Sequence, residues 1–434
     1  MPRPNPFTPW SIASALLLVL LAATTWWNPL EDPDLWWLLW AGESIQAGTA
    51  LPRLNTLSFT APDTPWICHE PLVAWLYGAL GISGIPLARM ACHVLTVCLI
   101  ARLIAPIRSG WASVLSLLWL LPLVSFSFTE RALAWGNLCL CMLLVSLSFK
   151  GIRGSLIRIG LIALWANVHG SFVVGVFLLA MHRPKEVLLA VAASILNPHG
   201  LELHKLVLEY GLGSGPQGLV HHFVEEWRPL VPNTPSQAIR LAALAVGVWA
   251  CVRTRSWRPV AIGAALIGLA LLHWRYCTPA GLVLLPYVAR AIGDHVPKRA
   301  PGVVAWPLVP ALALTALAAP RVGTDTNAFP DPLLEVIPQN ARIWSDFTLG
   351  GWLGRNGHKV FWDSRNDCYP KPVIEDGLRV AYQLDGWLNV LQEWNVDHVL
   401  TGELSVAGAL RAEGWREVRT EGDLVLLART PESG

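Results

Sequence analysis

Apolar runs recur along the first three-quarters of this chain, and the basic residues between them fall on alternate connections. The runs lie at 10–27, 85–105, 111–127, 134–149, 156–168, 171–182, 186–197, 238–252, 259–272, 276–291 and 303–320. Several are shorter than the ~20 residues that cross a bilayer, which is tolerated where neighbouring protein covers the helix ends. Lys and Arg concentrate on the cytoplasmic side of membrane proteins. Eleven helices with the N-terminus inside put Arg102, Arg108, Lys150, Arg153, Arg158, Arg183, Lys185, Arg253, Arg255, Arg258, Arg290, Lys298 and Arg299 there. The two long connections on the other side, 28–84 and 198–237, carry Glu31, Asp32, Asp34, Glu43, Asp63, Glu70, Glu202, Glu209, Glu225 and Glu226 against only Arg53, Lys205 and Arg228. The first run follows Arg3, is flanked by Trp26 and Trp27 and has no small-x-small cleavage site, so it is read as a helix rather than a signal peptide.

Composition divides the chain at about residue 323. With 53% hydrophobic and 14% charged residues, it is neither disordered nor an ordinary soluble domain. Residues 324–434 hold 10 Lys/Arg and 17 Asp/Glu (net −7), whereas residues 1–323 hold the other 22 and 13 (net +9). The expectation is a polytopic α-helical membrane domain over 1–323, with outer loops 28–84 and 198–237, followed by a small α/β domain over 324–434. An odd helix count places that domain outside the cytoplasm, in a multi-pass protein of the inner or plasma membrane. The basic residues lie in loops rather than in a stripe, which argues against nucleic acid. In the terminal region ARIWSDF, HKVFWDS, VDHVL, REVRT and DLVLLA read as strands, and segments near 371–382, 386–394 and 404–413 as helices.

The first outer loop carries the chemistry. Asp32 and Asp34 stand just past the first helix; Leu35, Leu38, Leu39 and Ile45 with Trp36, Trp37 and Trp40 then predict an amphipathic helix lying in the membrane interface. A Pro- and Thr-rich loop leads to HEP (His69, Glu70, Pro71) and a second short helix to about Leu80. Alone, the acidic pair is read as a helix cap. Cys92, Cys98, Cys139, Cys141 and Cys251 fall in apolar runs, whereas Cys68 and Cys368 fall in outer segments where a disulfide is chemically allowed.

This layout resembles the first extracytoplasmic loop of GT-C glycosyltransferases, which use polyprenyl-phosphate-linked sugars. In O-mannosyl- and aminoarabinose-transferases an Asp-Glu pair follows the first helix. Here Asp34 takes the first place, Leu35 stands where that pattern has Glu, and His69–Pro71 takes the place of a His/Lys-Pro-Pro motif. Asp32–Pro33 is similar to the Asp-Pro pair of oligosaccharyltransferase catalytic subunits. WSDFTLGGWL is similar to their Trp-Trp-Asp-Tyr-Gly block, with Ser345 and Phe347 as departures. The resemblance implies glycosyl transfer from a polyprenyl-phosphate or polyprenyl-pyrophosphate carrier at the outer membrane face. Asp34 or Asp32 would be the general base, or the pair would hold a divalent cation, magnesium or manganese. The acceptor (glycan, lipid or protein) is left open.

Polar residues at predicted outer helix ends supply the remaining candidates. Arg275, Arg131, His169, His199 and Asn167 are donor-phosphate ligands, with Arg275 preferred because guanidinium binds phosphate bidentately. Their alternative is snorkelling arginines and capping asparagines (Asn167, Asn197). LVHHFVEEWRPL reads as a surface amphipathic helix, with Glu226 as a sugar or acceptor contact alongside His69, Glu70, Trp344, Asp346, Asp363 and Arg365. DSRND either faces the active site or forms a structural salt-bridge cluster. A non-catalytic envelope protein that binds lipid-linked glycan or a partner is the second functional expectation. A transporter ranks last, for want of inverted repeats.

Overall fold

The computed structural model describes residues 9–23, 26–107, 109–214, 217–296 and 323–430. The predicted helix at 303–320 lies outside them, as do Arg3, Arg108, Lys298 and Arg299. Two compact units are formed, one drawn from Met1–Asn28, Gly84–Leu201 and His221–Val322, the other from Pro29–Ser83, Glu202–Val220 and Gly323–Gly434.

The first unit is helical. It contains α1 (Pro9–Ala23), the later part of α3 (Pro71–Ile104), α4 (Gly110–Val124), α5 (Ala132–Ser146), α6 (Gly151–Ala166), α7 (Phe172–His182), α8 (Val187–Ser194), α11 (Pro235–Arg253), α12 (Trp257–Leu272) and α13 (Cys277–Gly293). Helix α4 packs against α1, α11 and α13. Small residues permit that approach: a Cβ on Gly110 would lie 2.2 Å from the Trp10 side chain, and one on Gly281 would lie 3.0 Å from Leu123. Three helices, Pro71–Ile104, Gly110–Ser127 and Pro235–Arg253, are long and apolar enough to cross a membrane, and shorter apolar helices accompany them. Length and composition therefore give three full spans among the described residues, where the apolar runs predict eleven. Arg158, one of the inner-loop arginines, is buried. It donates to Glu186 (2.7 and 2.6 Å) and to the carbonyls of Ser146 and Phe149 (2.8 and 3.1 Å), tying together the ends of α5, α6 and the Pro184–Glu186 turn.

The second unit contains α2 (Asp34–Gln46), the Pro71–Leu80 start of α3, α9 (Leu201–Leu212) and a five-stranded sheet. Gly81, at φ 63° and ψ 173°, breaks α3 just after the predicted end of the short helix. The strands are β1 (Arg342–Ser345), β2 (Lys359–Val360), β3 (His398–Thr401), β4 (Arg416–Glu421) and β5 (Leu424–Ala428), in the order β2-β1-β3-β5-β4. Both neighbours of β1 are parallel to it, and β5 is antiparallel to β3 and β4. Each strand falls in a predicted strand segment. Helices at Lys371–Ala381, Trp387–Glu393 and Leu404–Ala412 match the predicted ones, and short helices at Asp331–Leu334 and Gly350–Arg355 add to them.

The first outer loop belongs to this unit rather than to the membrane domain assigned to it from sequence. Its residues complete the sheet at β2: the Phe59 amide donates to the Val360 carbonyl (3.0 Å) and the Val360 amide to Leu57 (3.1 Å). Leu30 pairs with Thr324. An edge strand that would otherwise expose its hydrogen-bonding groups is thus covered. Helix α2 is largely buried within this unit. Leu35, Trp36, Trp37, Leu38, Leu39, Ala41 and Gly42 are all buried, and Trp36 meets Phe329 edge-on at 4.9 Å. Trp36 and Trp37 pack against the unit's own interior, and Trp40 is half-buried.

Backbone-to-backbone contact between α2 and α3 occurs at two glycines. A Cβ on Gly42 would lie 2.0 Å from the Ala74 carbonyl oxygen, and one on Gly78 would lie 2.3 Å from the Gly42 carbonyl carbon. The obstacle is main chain, which cannot rotate away, so even a methyl forces the helices apart. Gly42→Ala should destabilise the protein by ~1–3 kcal/mol, read as a lower unfolding midpoint of the purified protein. An unchanged midpoint would contradict this crossing.

Candidate functional site

In the second unit the acidic pair begins α2. Asp32 accepts from the Asp34 amide (3.0 Å) and its carbonyl from the Leu35 amide (3.2 Å), a turn that launches the helix. Asp34 Oδ1 accepts from Trp37 Nε1 (3.1 Å). Both carboxylates are half-buried. Their position is set from the terminal domain: Leu30 N–H donates to Gly323 O (2.9 Å), Asp325 N–H to Leu30 O (3.0 Å), and Gly351 lies against Pro33 and Trp36. Trp37 then meets Trp66 edge-on at 5.7 Å and His69 at 6.2 Å.

His69 is half-buried, with Nε2 3.4 Å from Glu70 Oε1 and Nδ1–H donating to the Ile67 carbonyl (3.4 Å). Burial alone would lower its pKa. The charge of Glu70 and its hydrogen bond outweigh that, and with the field of Asp367 they raise it to about 9. Burial pushes the Asp367 carboxyl above its ordinary value, against the opposing pull of His69 and Arg365.

Asp363 and Arg365 are not surface contacts: both side chains are 0% exposed. Arg365 donates to Asp363 through Nε (2.9 Å) and Nη2 (2.6 Å) and to Asn55 Oδ1 (2.8 Å), while its guanidinium carbon lies 4.9 Å from the Trp66 ring and 5.3 Å from the Trp40 ring. Tyr369 O–H donates to the other side of Asp363 (3.0 Å). Of the two readings of DSRND, Asp363 and Arg365 form the salt-bridge cluster, both side chains being buried. Trp344 likewise lies in the sheet core, fully buried on β1. Asp346 closes the adjacent β1–β3 end, accepting from Thr401 Oγ1 (2.8 Å) and the Gly402 amide (2.7 Å); burial raises its pKa against those two bonds. Cys68 and Cys368 are buried free thiols, pushed up in pKa by burial and so poorly nucleophilic.

In the helical unit two predicted phosphate ligands converge on a third predicted site residue. Arg131, just before α5, donates to Glu226 Oε2 (2.9 Å), and Arg275 Nη1 lies 3.1 Å from Oε1. The second-loop segment bearing Glu226 is strapped to the chain before α13. Trp274 Nε1 donates to Glu225 O (2.7 Å), His273 Nδ1 to Trp227 O (2.5 Å), Trp274 N–H to Arg228 O (3.1 Å) and Leu230 N–H to Leu271 O (3.0 Å). Arg275 stacks on the Trp227 ring at 4.2 Å, and His221 stacks near-parallel on the same indole at 4.9 Å. The predicted surface helix is here a short helix, α10 (Gln217–Phe223), followed by a one-turn Glu225–Trp227 segment.

The other phosphate candidates are engaged differently. Asn167 donates to the Ala163 and Leu196 carbonyls (2.9 and 2.8 Å) and Asn197 to Ser194 and Gly200 (2.8 and 3.2 Å), which are helix-terminating roles. The Ser171 amide donates to His169 Nδ1 (3.0 Å), and the His199 amide donates to Asn197 Oδ1 (2.8 Å). Sequence reasoning missed Arg89 and His93. Arg89 lies 3.3 Å from Glu130, with both side chains buried, and donates to the Asn28 carbonyl (2.9 Å); His93 Nε2–H donates to the Thr129 carbonyl (3.1 Å). Their signal was present: an Arg and a His four residues apart on one face of an apolar run are costly unless partnered.

No protein-family model matches the chain, and no curated protein sequence matches it. Solved structures are similar to it. The oligosaccharyltransferase of Archaeoglobus fulgidus in its apo form has a TM-score of 0.47 and 13% identity, covering 90% of this chain and 69% of that one. ArnT from Cupriavidus metallidurans in the apo state has a TM-score of 0.48 and 11% identity, covering 96% and 97%. The same protein bound to undecaprenyl phosphate has a TM-score of 0.47 and 12% identity, covering 97% of each. They are GT-C glycosyltransferases, the class the first-loop motif resembles. At this level of likeness they establish no activity for this chain.

Two stability predictions follow from the second unit. Asp363→Asn leaves a buried guanidinium without its counter-charge and should cost ~3–5 kcal/mol in chemical unfolding, part of it regained in Asp363→Asn/Arg365→Met; a near-neutral single variant would contradict the buried pair. Because the folded pKa of His69 is above its ordinary 6.5, its charge stabilises fully below pH 6.5 and loses that effect as pH rises through about 9. The gap in melting temperature between the wild type and His69→Gln should therefore narrow across that window. A gap independent of pH would contradict it.

Proposed function

We propose that this chain is a multi-pass membrane glycosyltransferase of GT-C type that moves a sugar from a polyprenyl-phosphate or polyprenyl-pyrophosphate carrier to an acceptor at the outer membrane face. The observation that carries the reading is the acidic pair. Asp32 and Asp34 are half-buried, held by a turn, a tryptophan N–H and a strand-like tie to Thr324, and thereby fixed where a loop carboxylate would otherwise wander. A fixed, partly desolvated carboxylate is what general-base removal of a proton from an acceptor hydroxyl or amide requires. In the same unit His69 is held as an imidazolium beside Trp37; in the helical unit, taken by itself, Arg131 and Arg275 are the cationic pair proposed for a carrier phosphate. His69 and Glu70 lie beside the residue that orients Asp34 and are the proposed sugar or acceptor contacts, and Asp346, at the β1–β3 end of the sheet, is a further proposed contact.

Two carboxylates suit magnesium, which is commonly held by one or two carboxylates together with substrate phosphate oxygens. Among the described residues no group of three or more His, Cys, Asp or Glu is poised as a protein-only metal site. A cation held by Asp32 and Asp34 would offset phosphate charge. Independently of it, the chain's own residues orient the carboxylates (Trp37, the Asp32 turn) and hold the donor's anionic end (Arg131, Arg275).

The helix-launching hydrogen bonds of Asp32 and the buried Leu35, where the resembled pattern has an acid, favour a second reading: a carrier-lipid-binding envelope protein without transfer. Asp34→Asn and Asp32→Asn separate the two. The enzyme reading expects one of them to cut glycan transfer by about 10²–10⁴-fold with membrane insertion and folding intact, measured by mass spectrometry of envelope glycans. Transfer at wild-type rate in both variants would leave only the binding reading.

A further inference from the structure

In the second unit a cavity of about 240 Å³ opens at the edge of the sheet, and none of the site residues proposed above lines it. It lies where the first loop pairs with β2, the Val360 amide donating to the Leu57 carbonyl (3.1 Å). Leu57 and Gly354 are its buried floor, and Trp40 of α2 stands at one wall. The walls are fixed. Arg355 donates to both oxygens of Glu43 (3.2 and 2.7 Å), tying the Gly350–Arg355 helix to α2, and the Trp40 ring is held by Trp66 at 5.7 Å and by the Arg365 guanidinium at 5.3 Å. A Cβ on Gly354 would lie 3.1 Å from Leu57, so the floor has no room for a side chain there; Gly357, at φ 91°, carries none to close the mouth.

The polar groups of the cavity are few and of definite character. His358 is 2% exposed. Its ring donates to the Pro338 carbonyl, and Nδ1 has no hydrogen-bond partner among the described residues, so Nδ1 is left as a lone-pair acceptor. Burial lowers the pKa of this imidazole against the Pro338 bond and keeps the ring neutral at pH 7. A buried acceptor that nothing answers is costly. Lys359, exposed at the mouth, uses one of its three N–H groups on the Thr56 carbonyl. No lining residue is acidic, so the cavity carries one net positive charge.

We propose that this cavity is a subsite for a single anionic sugar residue, with Trp40 against the ring, His358 Nδ1 accepting from a hydroxyl and Lys359 meeting the carboxylate or phosphate. On the proposed function it would hold the acceptor; that role rests on the glycosyltransferase reading, whereas the binding itself does not. The volume is below the ~300–1,000 Å³ of pockets for drug-sized ligands, which suits one ring rather than a chain. A sugar ring presents C–H groups on its face and hydroxyls at its rim, and so answers both the tryptophan and the imidazole. A bare inorganic anion answers neither, because a neutral imidazole nitrogen without a proton has nothing to donate. A divalent cation is disfavoured by Lys359. Trp40 lies on the same helix as Asp34, about 9 Å of helix rise further on, so the next residue of a bound acceptor comes within reach of the acidic pair.

The test is titration of the full-length protein in nanodiscs, followed by saturation-transfer NMR, with glucuronate, glucose 6-phosphate and glucose as probes. At least one anionic probe should bind about tenfold or more tightly than glucose. Lys359→Gln, which keeps a donor for the Thr56 carbonyl but removes the charge, should abolish that preference. Tighter binding of one anionic probe assigns the anion as carboxylate or phosphate, equal binding assigns it by charge alone, and each supports the subsite. His358→Phe should weaken all three probes by about tenfold while the preference for an anion remains; should it not fold, the exposed Lys359 decides by itself. No binding by any probe, glucose bound as tightly as the anions, or a preference that survives Lys359→Gln would overturn the inference. If no probe binds while Asp34→Asn or Asp32→Asn still cuts glycan transfer, the subsite falls and the glycosyltransferase reading stands. If the anionic sugar binds as expected while both aspartate variants transfer at wild-type rate, the subsite stands and its role as acceptor site falls.

Discussion

A single guanidinium joins the parts of the second unit that matter. Arg365, from the segment after β2, reaches Asp363 beside it, Asn55 in the first loop, and the ring faces of Trp66 and of Trp40 in the middle of α2. Such a group is tolerated in an interior only when its charge is answered. Asp363 supplies the charge, Tyr369 completes the second carboxylate oxygen, and the tryptophans replace water with polarisable faces. Burial alone would depress the Arg365 pKa, but Asp363 holds it well above its ordinary value, so the cation persists at any pH the protein meets. The loop, the interfacing helix and the terminal sheet can therefore fold only together.

That constraint explains how the acidic pair comes to be held in place. A carboxylate on a connection between helices would sample many positions. Here the chain around Leu30 is paired to residues 323–325, α2 is clamped to α3 through Gly42 and Gly78, and Trp37 holds Asp34 on one side while approaching His69 on the other. Orientation of this kind is where much of an enzyme's rate advantage arises. In the helical unit the same economy appears in Arg131, Glu226 and Arg275, where three residues separated by long stretches of sequence share one carboxylate.

Much of this was legible in the chain itself. Strand alternation and helical periodicity in 333–430 located the five strands and three of the helices, because each covers one side of a single core. The apolar runs marked the helices of the first unit for the same reason. The errors have physical causes. In α2, apolar residues occupy five consecutive positions from Leu35 to Leu39, which covers every side of a helix and signals burial; the tryptophans drew attention to the membrane interface instead. The assignment of loop 28–84 to the membrane domain failed because β-bridges between Ser58 and Val360 and between Leu30 and Thr324 are long-range pairings with no local signature. For Asp363 and Arg365 the two readings stayed open because composition cannot show that Asn55 and Trp66 would come to them. Arg131, Arg275 and Glu226 were found singly, as charges at helix ends, but their convergence on one another could be seen only in three dimensions.

Hydrogen exchange of the intact protein tests most directly whether the first loop and the terminal sheet are one cooperative unit. The amides of Asn55, Phe59 and Trp66 are bonded to Thr64, Val360 and Arg53, and that of Phe361 to Ile343 in the sheet. If the account is right, the loop amides exchange as slowly as Phe361 and the β3 amides, through the same opening event. Loop amides that exchange orders of magnitude faster than the sheet would contradict it, and with it the claim that the sheet fixes the acidic pair in place.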